Sequence, residues 1–177
     1  KGDKMETVVR HATELGVAAF VPLACERSVV KLDERKAAAR TERCLAVARS
    51  AAMQSGQPAV PEVCPPVRLD EACALLSGAT AVLVCWEEAP GTAHLDEALG
   101  AALADLLMPP EDARVAVVVG PEGGLAPAEV EALLACNPRA SLVTLGPTIL
   151  RTETAGVVAP ALVLHELRRM ARGRCAL

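Results

Sequence analysis

The sequence has almost no aromatic residues and no long apolar run. Phe20 and Trp86 are its only aromatic side chains of the Phe, Trp or Tyr type in 177 residues. A core therefore has to be built from valine, leucine and alanine, which a chain with 52% hydrophobic residues can supply. No apolar run approaches the ~20 residues that a membrane-spanning helix needs, and the opening stretch KGDKMETVVRHATELG lacks the apolar segment of a secretory signal peptide. We expect one globular domain, for which this length is ordinary, and no membrane partner.

The seven cysteines lack the spacing of a metal site or a disulfide framework. No two of them form a C-x-x-C arrangement, their number is odd, and their neighbours are mostly apolar. Free thiols of this kind pack as small hydrophobic residues in a reducing compartment. We therefore predict no metal site, and we expect the protein in the cytoplasm or in an organellar matrix or stroma.

The net charge of −4 argues against a protein that binds nucleic acid through bulk charge. Two basic clusters remain, ERKAAARTERCLAVAR at residues 34–49 and HELRRMARGR at residues 165–174. Each cluster is either a solvated helix face or a contact for RNA, and the pattern of charges leaves both interpretations open.

Apolar segments of strand length alternate along the chain with segments of helical periodicity. The expected strands are VAAFVPL, TAVLVCW, ARVAVVVG and ASLVTLG, with ARVAVVVG at the centre of the sheet and ERSVVK as a further extended piece. The expected helices run from a cap at Asp3 to about Leu15, from Asp33 to about QSGQP, from Asp70 to Gly78, over 94–107 and 126–137, and from Glu153 to about Met170. This alternation predicts an α/β fold with a mostly parallel sheet covered by helices on both faces. Ligands of such folds bind beyond the carboxyl ends of the strands.

The loop GPEGG follows one of these strands and precedes a helix. Its glycines, Gly120, Gly123 and Gly124, allow backbone N–H and C=O groups to approach a ligand closely. A phosphate would require positive charge, whereas Glu122 is an acid and the loop has no lysine, which argues against a nucleoside triphosphate. A ligand with adenosine and a cationic sulfonium but no phosphate, such as S-adenosylmethionine, fits better. A purely structural turn is the alternative.

The second loop, LGPTILRTETAG, has apolar residues where a loop should be polar. Ile149 and Leu150 either fill a core or form the walls of a ligand site. Arg151 precedes a helix whose dipole it opposes, so it should have an anionic partner. That partner is either a ligand or an intramolecular carboxylate, Glu122 or Glu153.

In this order, the two loops closely resemble the RsmE family, the bacterial small-subunit ribosomal RNA uridine-N3 methyltransferases. The upstream segments ATELGV, VPLACERSVVK and AMQSGQPAVPEV are also similar to that family, so the resemblance covers nearly the whole chain. It implies a SPOUT-type methyltransferase domain over residues 1–177, with a C-terminal trefoil knot. It also implies a homodimer in which each site lies close to the partner subunit. The PUA-like RNA-binding barrel that precedes this domain in the family would be absent from this chain.

The resemblance also implies a cofactor, S-adenosyl-L-methionine, and a substrate, small-subunit rRNA or the assembled small subunit. Trp86 and Glu87 would rim the cofactor site. Its lining would consist of Gly120, Gly123, Gly124, Leu145, Gly146, Ile149, Leu150 and Thr154. Thr148 and Gln57 stand where the family usually has arginine, so this chain has two fewer cations on the surface expected to face RNA.

Methylation of uridine at N3 requires that the ring proton leave. Our hypothesis gives Arg151 the electrostatic role in this step, and Glu122 or Glu153 the role of base or positioning group. One alternative is a non-catalytic or divergent adenosyl- and RNA-binding protein on the same scaffold, acting on another RNA. An unrelated nucleotide-binding domain and a structural dimerisation module are further alternatives.

Overall fold

The computed structural model describes residues 3–28, 34–86 and 92–174. Two short parallel strands, β1 (Ala19–Phe20) and β2 (Glu62–Val63), form a small sheet. The main sheet is also parallel and consists of β3 (Ala81–Cys85), β4 (Ala93–His94), β5 (Val115–Val119) and β6 (Ala140–Thr144). The helices are α1 (Lys4–Leu15), α2 (Glu34–Ser55), α3 (Leu69–Leu76), α4 (Leu95–Leu103), α5 (Pro127–Ala135) and α6 (Thr152–Arg174). None of the helices in these ranges is long and apolar enough to cross a membrane.

The strands of the main sheet lie in the order β4–β6–β3–β5. Cys85, the last residue of β3, is in register with Val119 at the end of β5 and with Val143 near the end of β6. Because the strands are parallel, the loops that follow β3, β5 and β6 leave the sheet side by side at one edge.

Strand β3 shows how both faces of this sheet are covered. Val82 and Val84 pack against α5 and α3 on one face, whereas Leu83 packs against α4 and α6 on the other. All three side chains have no exposed surface, and each buried side chain of this size stabilises the fold by roughly 1.5–3 kcal/mol. The α/β class with a parallel sheet flanked by helices is therefore confirmed.

Helix α1 packs closely on α6 at Gly156. A Cβ atom on Gly156 would lie 3.0 Å from both γ-carbons of Val8, closer than most such contacts in proteins. This contact brings the first turn of α1, including Lys4, to the beginning of α6 and hence to the edge of the sheet where the loops emerge.

The position of β5 corrects one prediction. Among the described strands β5 pairs with β3 alone and lies at the edge of the sheet, not at its centre. Its side chains are apolar because both faces of the sheet are covered: Val118 packs on one side, and Val115 and Val117 pack on the other. A continuous apolar run therefore indicates covered faces, not the number of neighbouring strands.

Two further local predictions were wrong. The segment VAAFVPL yields a strand of only two residues, β1, because Pro22 has no N–H for the ladder, and beyond Pro22 it makes an isolated parallel bridge from Leu23 to Val67. Asp3 precedes α1 but makes no side-chain cap, since its carboxylate accepts a hydrogen bond from Arg43 at 3.3 Å. Gly16 does end α1 in the left-handed conformation, with φ 104°. Glu26 and Arg27 of ERSVVK form a turn, and residues 29–31 of that segment and Asp33 lie outside the described residues.

The cysteines of the described ranges are all free thiols. Cys44 is buried between α1 and α2, Cys25, Cys73 and Cys85 are partly buried against the two clusters of the main sheet, and Cys64 and Cys136 are partly exposed. Burial raises the pKa of the Cys25 thiol to about 11, so this thiol is protonated at neutral pH and is a poor nucleophile.

Candidate active site

A cavity of about 510 Å³ lies at the carboxyl edge of the main sheet, between the end of β3 and the loops that follow β5 and β6. This volume is typical of a small-molecule site. The lining consists of the strand ends, residues 120–122 with 124 and 125 of the loop after β5, residues 145–152 of the loop after β6, Ala155, and Lys4 of α1. The two loops selected from the sequence therefore meet in one site.

The loop after β5, residues 120–126, presents bare main chain to this cavity. The N–H of Gly124 donates to the carbonyl of Pro121 at 2.9 Å, and Gly124 has φ 72°. A Cβ on Gly120 would lie 3.1 Å from Cγ of Leu125 and 3.2 Å from its backbone nitrogen. The conformation of the turn therefore favours glycine at both positions, and the absence of side chains leaves the main chain accessible to a ligand.

Contacts behind the turn hold it in place. The buried carboxylate of Glu129 accepts the N–H groups of Glu26 and Ala126, each at 2.8 Å. Arg27 donates to the carbonyl of Gly123 at 3.2 Å, and a Cβ on Gly123 would lie 3.1 Å from Cβ of Arg27. Gly123 therefore faces Arg27 and does not line the cavity. Gly120 and Gly124, which were predicted together with it, do line the cavity.

The loop after β6, residues 145–151, is held mainly at its beginning. The hydroxyl of Thr144 donates to the carbonyl of Gly146 at 3.0 Å and accepts the N–H of Gly146 at 3.2 Å. Gly146 has φ 132°, and no atom would lie within 4 Å of a Cβ added there. Leu150 is partly buried, but Ile149 is 81% exposed. Of the two interpretations of these apolar residues, the structure supports a cavity wall and not a core plug.

Lys4 joins the two loops through an ion-pair triad that the sequence did not reveal. Its ammonium nitrogen lies 2.7 Å from Oε1 of Glu122 and 3.1 Å from Oε2 of Glu153. The hydrogen bond from Lys4 is the main cause that lowers the pKa of Glu122. For Glu153 a backbone hydrogen bond comes first and the Lys4 ammonium second, and both lower the pKa of the carboxyl. The two carboxylates in turn raise the pKa of Lys4.

The side chain of Arg151 lines the cavity and is exposed. Within the described ranges it forms neither a hydrogen bond nor an ion pair, although its charge is the weakest of the causes that lower the pKa of Glu153. Both carboxylates considered for it from the sequence are paired with Lys4 instead. The same reasoning could have flagged Lys4, since a lysine in the first turn of a helix also opposes the helix dipole.

Three other predicted positions have different outcomes. Trp86 lines the cavity, and its indole N–H is buried without a hydrogen-bond partner among the described residues. Thr154 is exposed and outside the lining, because Thr152 and Ala155, three residues apart on α6, occupy the face towards the cavity. Glu87 lies outside the described residues. No cluster of metal-ligating side chains is present in the parts of the chain that the structure covers.

Comparison with known proteins agrees with this site. The family model for the RNA methyltransferase domain matches residues 1–164. The chain is 37% identical over 166 residues to the ribosomal RNA small subunit methyltransferase E of Bacillus subtilis, a match that covers 94% of this chain and 62% of the relative.

Two solved structures have the same fold and contain a methyl donor. The putative methyltransferase Lpg2936 of Legionella pneumophila, in complex with the bound cofactor SAM, has a TM-score of 0.78 and 31% identity. The ribosomal RNA small subunit methyltransferase E of Neisseria gonorrhoeae, bound to S-adenosyl methionine, has a TM-score of 0.71 and 31% identity. Each match covers 93% of this chain and 62% of the other chain, so this chain spans less than two thirds of these relatives. It belongs to the RNA methyltransferase domain family, and its resemblance to RsmE is confirmed.

Proposed function

We propose that this chain is the methyltransferase domain of an enzyme that transfers a methyl group from S-adenosylmethionine to N3 of a uridine in small-subunit ribosomal RNA. The observation that carries the proposal is the cavity at the carboxyl ends of three adjacent parallel strands, with a glycine loop on one side and an apolar loop on the other. Two solved relatives of the chain contain this cofactor.

The residues of the cavity fit such a cofactor. Gly120, Gly124 and Gly146 offer main-chain groups, while Leu145, Ile149 and Leu150 offer apolar contact to an adenosyl group. The unpartnered indole N–H of Trp86 is a donor that a polar ligand would satisfy. Gly123 supports the turn from outside. When bound, the cofactor supplies an electrophilic methyl carbon on a sulfonium.

Arg151 has the electrostatic role in this proposal. Its guanidinium lines the cavity and makes no side-chain hydrogen bond or ion pair with the described residues, so it can favour the deprotonated, anionic form of the uridine ring. The carboxylates of Glu122 and Glu153 have lowered pKa values, which makes them weak proton acceptors at neutral pH. The role of positioning group is therefore favoured for both over the role of base.

The proposal extends to the assembly and the compartment. It includes one SPOUT-type domain over residues 1–177, a C-terminal trefoil knot, a homodimer and an RNA-binding barrel outside this chain, in the cytoplasm or an organelle. Two observations support the knot and the dimer. Strand β6 lies between β3 and β4, which both precede it in the sequence. Ile149 is 81% exposed at the cavity, which leaves an apolar surface for a partner to cover.

Isothermal titration with S-adenosylmethionine tests the cofactor, and mass spectrometry of ribosomal RNA from cells with and without the intact gene tests the reaction. We expect S-adenosylmethionine to bind. We also expect one methylated uridine in small-subunit rRNA of cells with the intact gene that is absent from cells without it. Absence of binding would refute the cofactor site. Binding without loss of a methylated uridine would favour the alternative of an adenosyl-binding protein that acts on another RNA.

A further inference from the structure

Lys4 connects three segments that are distant in the sequence. Its nitrogen lies within 3.1 Å of carboxylates from the glycine loop, 118 residues away, and from the first turn of α6. It also lines the cavity. The contact thus joins α1 to both loops of the site.

Stability does not account for a lysine at this position. The side chain is 36% exposed, and exposed ion pairs contribute little because water screens them. A cation in the first turn of α1 also opposes the dipole of that helix. The position is therefore better explained by an effect on the site itself.

The effect concerns Arg151. Glu153 is two residues from Arg151, and Glu122 lines the same cavity. Without Lys4, both carboxylates would lose their partner, and Arg151 is the cation best placed among the described lining residues to replace it. An Arg151 engaged in that way would be withdrawn from an anionic substrate.

We propose that Lys4 is a positioning residue that engages Glu122 and Glu153 and so keeps Arg151 available to the RNA base. The inference rests on the proposed function. In the intact gene product, Lys4→Met should reduce kcat for methylation of small-subunit rRNA by about 10–100-fold, the size of effect expected when a catalytic group is misplaced. The dissociation constant for S-adenosylmethionine should change by less than about 3-fold, since the cofactor contacts proposed above remain.

Two comparisons separate this role from ordinary packing. Lys4→Arg should retain most of the activity, because a guanidinium can also serve two carboxylates. The ratio of Lys4→Met activity to wild-type activity should stay constant from pH 7 to pH 5, where the carboxylates remain ionised, and should rise as the pH falls below the usual carboxyl pKa of 4.5, since protonation of the carboxylates would release Arg151. Lys36→Met, which removes an exposed lysine of α2 outside the cavity, is the control for cofactor binding and should leave it unchanged.

The outcomes distinguish the two proposals. If the wild type neither binds the cofactor nor methylates RNA, the proposed function fails and the role of Lys4 fails with it. If the wild type is active and Lys4→Met is within about 2-fold of it, only the role of Lys4 is overturned. A Lys4→Arg variant as impaired as Lys4→Met, or a ratio of activities that does not rise below pH 4.5, would also overturn it.

Discussion

The two loops of the site differ in what holds them. The turn after β5 is fixed from behind by the carboxylate of Glu129 and by Arg27, and added atoms on Gly120 or Gly123 would clash. The loop after β6 has open space around Gly146 and exposes 81% of Ile149.

This difference indicates that the two loops respond differently to binding. A turn whose backbone is fixed before any ligand arrives can present its N–H and C=O groups at no cost of ordering. A loop with exposed apolar surface becomes fully packed only when a ligand, RNA or a partner subunit covers it. We therefore infer that the first loop is preformed and that the second is completed by binding.

The largest expected effect concerns Arg151 of the second loop. Arg151→Ala should reduce methyl transfer by roughly 10²–10³-fold, as expected for loss of a group that stabilises developing charge. The melting temperature should hardly change, since Arg151 makes no intramolecular ion pair in the described ranges. A methylation assay together with thermal denaturation measures both quantities.

Arg139→Ala provides the matched control for Arg151. Arg139 pairs with Asp105 at 3.1 Å and precedes β6, at the opposite end of the strand from the cavity. Its loss should leave turnover unchanged. Normal turnover in Arg151→Ala would remove this residue from the mechanism.

The next effect concerns the support of the first loop. Glu129→Ala would leave the buried N–H of Ala126 and the partly buried N–H of Glu26 without their acceptor, and a buried unsatisfied donor costs about 1–3 kcal/mol. We expect the free energy of unfolding to fall by about 3 kcal/mol in chemical denaturation. The control is Glu131→Ala, which removes an exposed carboxylate two residues further along α5. Its free energy of unfolding should stay within about 0.5 kcal/mol of the wild-type value. Equal effects would show that the turn is not held by Glu129.

A smaller effect tests the lack of space in the first loop. In Gly120→Ala the new methyl group would lie 3.2 Å from the backbone nitrogen of Leu125, which cannot move without moving the turn. Overpacking of this kind costs about 1–3 kcal/mol, and the displaced turn should also bind S-adenosylmethionine more weakly. Gly100→Ala in α4 is the control, because its methyl group would make only an ordinary contact with Met170 at 3.7 Å. Unchanged stability and affinity in Gly120→Ala would contradict a preformed turn.

The sequence predicted most elements of the fold, because helical and strand periodicities are local signals. Helix α1 ends before Gly16, and α5 begins at Pro127, as residues with restricted or unusual backbone conformations indicate. The order of the strands could not be obtained in this way. Apolar side chains on β5 reflect burial of two faces and carry no information about which strand lies beside it.

The sequence located the site but not the orientation of every residue in it. Gly120 and Leu145 line the cavity because parallel strands end at a common edge, which the alternation of elements already implied. Gly123 and Thr154 face elsewhere, since their directions depend on the geometry of one turn and on the phase of one helix. Lys4 was missed because it reaches Glu122 across 118 residues, and no local pattern encodes that contact.

The smallest expected effect is the pH dependence of the ion pairs that join the two loops. The lowered pKa values of Glu122 and Glu153 mean that their contribution to stability is present above the usual carboxyl pKa of 4.5 and is lost as the pH falls through the lower, folded values. The raised pKa of Lys4 adds a contribution that is present below 10.5 and is lost as the pH rises through the folded value. Between these limits we expect the difference in melting temperature between wild type and Lys4→Met to be small and constant, and to shrink below pH 4.5. A difference that stays the same below pH 4.5 would show that Lys4 stabilises the protein by packing, so that its contact with the two loops is not electrostatic.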